Sequence, residues 1–201
     1  MGTSETVARK ERERAERRAR ILAEARTLAE TDGWDAVTTR QLARRIEYSQ
    51  PVLYSHFANK EAIVTAVALE GADELARAMR EAACGEDDPV RRMTAVAEAY
   101  QDFADANPAL FDALFTLPTT LEFGGENSPP ELVAAFTVLI DTFAPMAAGR
   151  DVETFTEMAW SAMHGQVILD RDSRLRPTHR RQRMAMLLDA LTRKADRPPT
   201  G

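Results

Sequence analysis

The chain has 201 residues and a formal net charge of −6, and 44% of its residues are hydrophobic. This composition is typical of a globular protein, excludes a largely disordered chain, and allows one or two small domains. No apolar run approaches the roughly 18 residues that span a membrane, and the charged N-terminus lacks the apolar segment of a secretory signal. The single cysteine, Cys84, excludes an intrachain disulfide and offers no zinc site. We therefore expect a cytoplasmic protein that needs no metal or other cofactor.

Positive charge is concentrated in the N-terminal third of the chain. Residues 1–62 carry 12 basic and 10 acidic side chains, whereas the remaining residues carry 14 and 22. Residues 9–20 alone hold seven basic side chains against three acidic ones. This asymmetry is typical of a chain in which one part meets a polyanion. A solvated helix with many Arg–Glu pairs would give the same pattern, so charge alone leaves both readings open.

The N-terminal segments show the 3.6-residue period of helices and no sustained alternation of period two. A first helix is predicted over residues 17–32, and Gly33 follows it as a stop signal. A capping box that starts at Thr38 predicts a second helix to about residue 46. Ser49 is a suitable N-cap for a third helix, which would end at residue 56 or 57. Asn59 is expected to cap a fourth helix of some twenty residues.

Residues 38–57 are thus expected to form two short helices joined by a tight turn of three residues. Val52, Leu53 and Phe57 would hold the second of these helices on its scaffold and leave its polar face exposed. This arrangement is a helix-turn-helix, whose second helix lies in the major groove of DNA. The alternative is a plain two-helix corner in an all-α protein, which periodicity alone does not separate from a DNA-binding motif.

The same segment resembles the N-terminal DNA-binding domain of the TetR family of bacterial transcriptional regulators. The residues that carry the resemblance, besides the capped helices, are Ala43, Leu53, Tyr54, His56, Phe57, Lys60 and Glu61. One departure lies in the turn, where the family usually has Gly-Val and this chain has Glu47-Tyr48. If the turn needs a positive φ at position 47, a glutamate there is strained by about 1 kcal/mol.

Side-chain chemistry and the resemblance together assign roles on DNA. Gln50 is long enough for a bidentate contact with an adenine edge, and Pro51 can contact a thymine methyl group. The resemblance implies phosphate contacts for Thr39, Tyr54, His56 and Lys60, and phosphate contacts position a protein without reading sequence. The full predicted set is Thr39, Arg40, Ser49, Gln50, Pro51, Tyr54, Ser55, His56 and Lys60.

Three of these assignments have alternatives. Ser55 could contact either a base or a phosphate, and His56 could be a packed histidine at a helix end. Arg40, Arg44 and Arg45 face either phosphates or only water. Residues 9–20 resemble a basic N-terminal arm that precedes the first helix and tracks the DNA backbone or enters the minor groove.

The second half of the chain is also predicted to be helical. Asp88-Pro89 and Asn107-Pro108 are helix-start signals, and residues 119–128 form a loop with little periodicity. A capping signal at residues 128–131 starts a further helix. Two more helices are expected over residues 151–170, which are apolar nearly all round, and over about residues 177–194. Residues 196–201 are expected to be a frayed tail.

Two stretches of this half resemble the C-terminal domain of TetR-type regulators with a Trp–His–Gly signature. They are residues 100–111 and 160–165. The resemblance implies that the last two helices form a four-helix dimer interface and that the core holds a ligand pocket. The candidate ligand-binding residues are Tyr100, Phe103, Phe111, Phe115, Phe136, Trp160, Met163 and His164. Plain core packing is the alternative for each of them, and His164 could be a satisfied core histidine beside Gly165, where two helices approach closely.

These observations and the resemblance together predict an all-α, homodimeric, ligand-responsive regulator. It is expected to act as a repressor that binds a palindromic DNA operator and a small apolar or aromatic effector. The DNA-binding domain is expected to cover residues 1–66, and the ligand-binding and dimerisation domain residues 67–201. An enzyme is not expected, because no catalytic motif or metal-ligand spacing occurs. A helical protein–protein adaptor is the alternative, which would ignore duplex DNA.

Overall fold

The computed structural model describes residues 2–193 of the chain, with side chains from residue 5 onward. This part is built of α-helices joined by loops and short 3₁₀ turns, which confirms the expected all-α class. The helices are α1 (Gly2–Asp32), α2 (Thr39–Arg45), α3 (Gln50–His56), α4 (Lys60–Ala83), α5 (Pro89–Ala106), α6 (Pro108–Phe115), α7 (Pro130–Phe143), α8 (Val152–Arg171) and α9 (Arg180–Thr192). None of these described helices combines the length and apolarity needed to cross a membrane. The tail expected at residues 196–201 lies outside the described residues.

The chain divides into two compact units. The first comprises Met1–Ala72 and Asn107–Pro129, and the second comprises Asp73–Ala106 and Pro130–Gly201. Each unit has its own buried apolar side chains. The chain first passes from the first unit to the second between Ala72 and Asp73, inside the continuous helix α4. The domain boundary at residue 66 stays a prediction.

The first unit is built around the apolar faces of α1 to α4 and of α6. Its fully buried side chains include Ile21 and Leu28 from α1, Leu42 from α2, and Leu53 from α3. Trp34 is also buried, and its indole Nε1 donates a hydrogen bond of 2.8 Å to the carbonyl oxygen of Ala109. This bond satisfies the polar end of the indole inside an apolar environment.

Helix α1 begins far earlier than residue 17, where the sequence prediction started it. The basic segment expected as a separate arm is part of the same helix, which runs over 31 residues. Arginine, glutamate and alanine favour the helix, and exposed pairs such as Arg9–Glu13, 3.9 Å apart, add a small stabilisation. Because residues 5–12 are all exposed, this part of α1 packs on no other described element through a buried side chain.

The second unit is built from the C-terminal part of α4 together with α5, α7, α8 and α9. Helix α5 begins at the predicted cap, where Asp88 Oδ1 accepts from Arg91 N at 2.8 Å. Helix α8 has a cap that was not predicted, Asp151, whose Oδ1 accepts from Thr154 N at 2.9 Å. The large buried side chains of this unit are Met79, Met93, Tyr100, Phe103, Phe143, Phe155 and Met163.

Helix α8 is not buried all round within this chain. Phe155, Met163 and Val167 are buried, but Met158 and Leu169 on another face are 48% and 43% exposed. On α9, Met186 is 66% exposed. A side-chain methyl group at Gly165 would meet no atom within 4 Å outside its own helix. The close helix approach expected at Gly165 is therefore not made by the described part of this chain.

Candidate nucleic-acid interface

Helices α2 and α3 are held as a pair by caps and buried apolar residues. Thr38 Oγ1 accepts a hydrogen bond of 3.1 Å from Gln41 N, which confirms the predicted N-cap of α2. Leu42 and Leu53 are fully buried, and Phe57 follows α3 with only 2% of its surface exposed. Because these side chains fill the side of α3 that faces the core, the opposite side of that helix is free to face a ligand.

The turn between the two helices has the backbone conformation that glycine usually provides. Ile46–Ser49 separate α2 from α3, so the turn is one residue longer than the predicted three. Glu47 has a φ of 58°, and the Tyr48 amide donates a hydrogen bond of 2.9 Å to the Ala43 carbonyl. A left-handed conformation costs a non-glycine residue about 1 to 2 kcal/mol, so Glu47 is a strained residue in an otherwise regular motif.

The exposed face of α3 carries the residues expected to meet bases. Ser49 occupies the N-cap position without a capping hydrogen bond from its side chain, and Gln50 and Pro51 form the first turn. All three are exposed, and Gln50 has no hydrogen-bond partner among the described residues. A free amide on an exposed helix N-terminus can make the bidentate contact that an adenine edge offers. Ser55 is exposed too, but its hydroxyl donates to the Val52 carbonyl at 2.6 Å.

Tyr54 and Thr39 link the exposed sides of α3 and α2. Tyr54 is 50% exposed, so its ring and hydroxyl are accessible to a ligand. Its hydroxyl lies 3.3 Å from Thr39 Oγ1. Two hydroxyl groups at this separation can bind neighbouring oxygens of one phosphate group, which is compatible with the phosphate contact expected of each.

His56 and Lys60 are half-buried, as is Thr39. Burial, followed by the positive charges of Arg14, Arg17 and Arg18, lowers the pKa of His56 below its usual value of 6.5. The His56 ring is therefore neutral at pH 7 and can hydrogen-bond a phosphate without adding a charge. Lys60 donates to the Trp34 carbonyl oxygen, which leaves two of its three ammonium hydrogens for other acceptors.

The three arginines of α2 differ in their surroundings. Arg40 and Arg44 are exposed and have no ion-pair partner among the described residues. Arg45 forms an ion pair with Glu24 of α1, so its charge is already matched within the unit. The structure thus separates two arginines that remain available to phosphates from one that holds α1 and α2 together.

A basic stripe on α1, formed by Lys10, Arg14, Arg17 and Arg18, was not singled out from the sequence. Spacings of four, three and one residues place these cations on one face of the helix. The guanidinium group of Arg18 stacks 4.2 Å above the Phe57 ring, and its Nη1 lies 3.5 Å from the His56 carbonyl oxygen. Arg18, and with it the C-terminal part of the stripe, therefore lies beside the C-terminal end of α3. Its spacing in the sequence is the signal that could have revealed it.

The candidate ligand-binding residues fall into two groups. Phe111 and Phe115 belong to the first compact unit, where their ring centroids are 4.8 Å apart. The other six, Tyr100, Phe103, Phe136, Trp160, Met163 and His164, belong to the second unit. In that unit the centroids of Phe136 and Trp160 are 6.3 Å apart, and those of Trp160 and His164 are 5.8 Å apart.

A short hydrogen-bonded chain joins three of these side chains. Trp160 Nε1 donates to Tyr100 Oη at 3.2 Å, and Tyr100 Oη lies 2.8 Å from His164 Nδ1. Burial raises the pKa of Tyr100 and lowers the pKa of His164 below 6.5, so both side chains are neutral at pH 7. With a neutral imidazole, the Tyr100 hydroxyl can donate to Nδ1, and each link of the chain then has one donor and one acceptor.

Comparison with known proteins places this architecture in a family. The family model for bacterial regulatory proteins of the tetR family matches residues 21–67. The model for the tetracyclin repressor-like C-terminal domain matches residues 93–193. Each match falls on one of the two regions for which the sequence analysis expects a TetR-type domain.

Individual relatives support the same assignment. The HTH-type transcriptional regulator Rv0681 of Mycobacterium tuberculosis is 31% identical over 160 residues, which are 75% of this chain and 68% of that protein. The HTH-type transcriptional activator FasR of Mycolicibacterium smegmatis is 31% identical over 102 residues, or 51% of this chain and 47% of FasR. A structure of a Rhodococcus protein of unknown function superposes with a TM-score of 0.71 over 87% of this chain and 93% of that one. The two sequences are 24% identical, so this similarity supports the fold alone. Two family models match the chain, and the match to Rv0681 covers most of both proteins. The chain therefore belongs to the TetR family of transcriptional regulators, which are DNA-binding proteins.

Proposed function

We propose that this TetR-family regulator is a repressor that binds a palindromic operator as a homodimer and releases it when a small apolar or aromatic effector binds. On this proposal it works in the cytoplasm and catalyses no reaction. Residues 1–66 carry the DNA-binding domain, and residues 67–201 carry effector binding and dimerisation.

The observation that carries the proposal is the exposed polar face of α3. Leu53 is fully buried and fixes the helix, while Gln50 and Tyr54 point away from the core and are exposed. An exposed glutamine amide and an exposed tyrosine hydroxyl are groups that can hydrogen-bond to DNA. In the proposed complex Gln50 reads a base edge, and Tyr54 with Thr39 binds a phosphate.

Support for a dimer comes from the exposed apolar side chains of α8 and α9. Met158 and Leu169 of α8 and Met186 of α9 are all more than two-fifths exposed. A second copy that covers them would bury apolar surface on a two-fold axis, and the open space at Gly165 would let the helices approach closely. A two-fold dimer also presents two recognition helices to a palindrome, about 34 to 36 Å apart.

The proposed effector response uses the aromatic side chains of the second unit. The cluster around Tyr100, Trp160 and His164 combines apolar rings with a few polar atoms, which is the chemistry of a small-molecule site. Helix α4 contributes residues to both units, so an effector that shifts α4 would change the separation of the two α3 helices. The effector must bind the released form more tightly, since equal affinity for both forms shifts nothing.

Fluorescence anisotropy with the DNA upstream of the protein's own gene tests the proposal. Duplex and protein are titrated at two salt concentrations, with and without excess competitor duplex. We expect tight binding that resists competitor and weakens steeply with salt. The variant Met158→Asp/Met186→Asp should bind this duplex weakly and run as a monomer in sedimentation.

A reporter gene behind the same DNA separates repression from activation. Repression predicts higher reporter output when the regulator's gene is deleted. Lower output after the deletion would contradict repressor activity, and absence of binding by a folded dimer at either salt concentration would contradict the proposed operator.

A further inference from the structure

A groove of about 460 Å³ lies between α5 and α9 of the second unit. None of the eight candidate ligand-binding residues lines it. Its walls are formed by Val90, Thr94, Glu98, Gln101, Asp102, Arg181, Met184, Ala185, Leu188, Asp189 and Thr192. The volume is in the range that small-molecule sites occupy in proteins, and both walls combine apolar and polar side chains.

The two helices run antiparallel along the groove. Arg180 at the start of α9 forms an ion pair with Asp105 near the end of α5, and its Nη2 lies 3.4 Å from the Gln101 carbonyl oxygen. Gln101, Asp102 and Arg181 therefore lie toward one end of the groove, and Thr192 lies toward the end where α5 begins. Between these ends, Met184 and Leu188 are only 3% and 4% exposed and form a buried apolar floor, and Ala185 beside them is exposed.

Gln101 is the unusual residue of this site. Only 6% of its surface is exposed, and its side-chain Nε2 has no hydrogen-bond partner in the described part of the chain. An unsatisfied buried donor costs about 1 to 3 kcal/mol, so the apo protein bears a penalty that an acceptor atom entering the groove can remove. A leucine of similar size would avoid this cost, which indicates that the amide is there for a ligand.

The charges of the groove favour a cation. Glu98 and Asp102 have no ion-pair or hydrogen-bond partner among the described residues, and neither does Arg181. Asp189 is already matched by Arg193, whose Nε lies 3.0 Å from Asp189 Oδ2. Two unmatched carboxylates against one unmatched guanidinium leave the groove net negative, so an anionic ligand is disfavoured.

We propose that this groove binds a small molecule that joins an apolar body to a protonated amine and a carbonyl oxygen, the chemistry of an amide of an apolar amino acid. The amine pairs with Glu98 and Asp102, the carbonyl oxygen accepts from Gln101 Nε2, and the apolar body lies against Ala185 above the buried floor of Met184 and Leu188. The site is independent of the operator proposed above, because it requires no DNA.

Isothermal titration with three related probes tests the site on the full-length protein without DNA. Phenylalaninamide carries the amine, the carbonyl and an apolar body. N-acetylphenylalaninamide lacks the positive charge, and 3-phenylpropionate replaces it with a negative one. We expect saturable binding of phenylalaninamide, and binding of each other probe weaker by about tenfold or more, as expected from loss of a charge-assisted hydrogen bond.

Two pairs of variants locate the binding. Gln101→Leu should weaken phenylalaninamide binding about five- to tenfold, by loss of one hydrogen bond, while the melting temperature of the free protein stays the same or rises. Gln182→Leu makes the same change on an exposed part of α9 and should leave binding unchanged. Glu98→Gln should weaken binding by a similar factor, whereas Glu153→Gln on α8 should not.

Three results would overturn the proposal: no binding of phenylalaninamide, equal binding of all three probes, or equal affinity of the Gln101→Leu and Gln182→Leu variants. Because DNA is absent from the titration, a failure here leaves operator binding untouched. A failure to bind DNA in the anisotropy experiment would likewise leave this site standing.

Discussion

The basic stripe of α1 makes a quantitative prediction about DNA binding. Arg14 and Arg17 lie on the face of α1 that continues into the buried face at Ile21, and both act on the pKa of His56 at the end of α3. Arg9 and Arg12 lie on the other side of the same helix. We compare Arg14→Gln/Arg17→Gln with Arg9→Gln/Arg12→Gln, two variants that lose the same charge from the same exposed segment.

The expected effect follows from counterion release. Each phosphate contact contributes about 0.9 to the slope of log affinity against log salt, so two contacts in each protomer contribute about 3.6 in a dimer. Raising the salt concentration from about 50 mM to about 200 mM weakens the affinity of both proteins. The fold-loss of the wild type should be about 150 times that of the Arg14→Gln/Arg17→Gln variant.

The assay is fluorescence anisotropy with one operator duplex over a series of salt concentrations. Circular dichroism at each salt concentration shows that both variants keep their helices. The Arg9→Gln/Arg12→Gln variant should keep a slope close to that of the wild type. Equal slopes for the two variants would refute the reasoning, because they would mean that only the overall charge of α1 matters and not the face that carries it.

Three further predictions concern bases, backbone strain and proton uptake. Gln50→Ala should relax specificity at one base position and lose about 1 to 3 kcal/mol of binding free energy to the duplex with the preferred base. Tyr54→Ala should weaken binding evenly across sequences, and a panel of singly substituted duplexes measures both effects. Glu47→Gly should raise the free energy of unfolding in urea by about 1 kcal/mol, because glycine relieves the left-handed strain. Glu157→Gly, in the exposed middle of α8, should lower the free energy of unfolding by about 1 kcal/mol, because glycine is a poor helix former. Burial lowers the pKa of His164 in the folded protein, so the unfolded chain binds a proton first as the pH falls below 6.5. The free energy of unfolding should therefore decrease as the pH falls below 6.5, and it should decrease less in the His164→Gln variant.

Each of these predictions has a contrary outcome. An even loss of affinity for Gln50→Ala would contradict base reading at that position. Equal destabilisation by Glu47→Gly and Glu157→Gly would mean that the turn stores no strain. An identical pH dependence of the wild type and His164→Gln would show that protonation of this histidine is not coupled to folding.

Much of the DNA-binding unit could be predicted from the sequence because its determinants are local. The cap at Thr38, the N-cap position of Ser49 and the cap at Asn59, whose Oδ1 accepts from Ala62 N at 2.8 Å, are all where the sequence analysis expects them. The strained φ of Glu47 also follows from the departure at a single position. Caps and turns depend on residues within four positions of one another, so a sequence displays them directly.

Contacts between distant residues could not be predicted in the same way. The sequence analysis treats Arg40, Arg44 and Arg45 alike, but only the fold brings Glu24 to Arg45 and leaves the other two unmatched. Lys60 looked like a phosphate ligand, and the fold places its ammonium group against the Trp34 carbonyl oxygen. An ion pair or hydrogen bond between elements depends on how the helices pack, which periodicity does not encode.

The sequence by itself determined the all-α class and the order of the helices, because helical period and capping residues are properties of short segments. The resemblance of residues 38–61 to a known family supplied the helix-turn-helix and the family. The tertiary structure alone decided which polar groups are matched and which are not. It joined Tyr100 to Trp160 and His164, and it buried the amide of Gln101 without a partner beside a groove. The reason is physical: whether a polar group is satisfied depends on atoms brought together from distant parts of the chain, and only the folded packing of the helices fixes those distances.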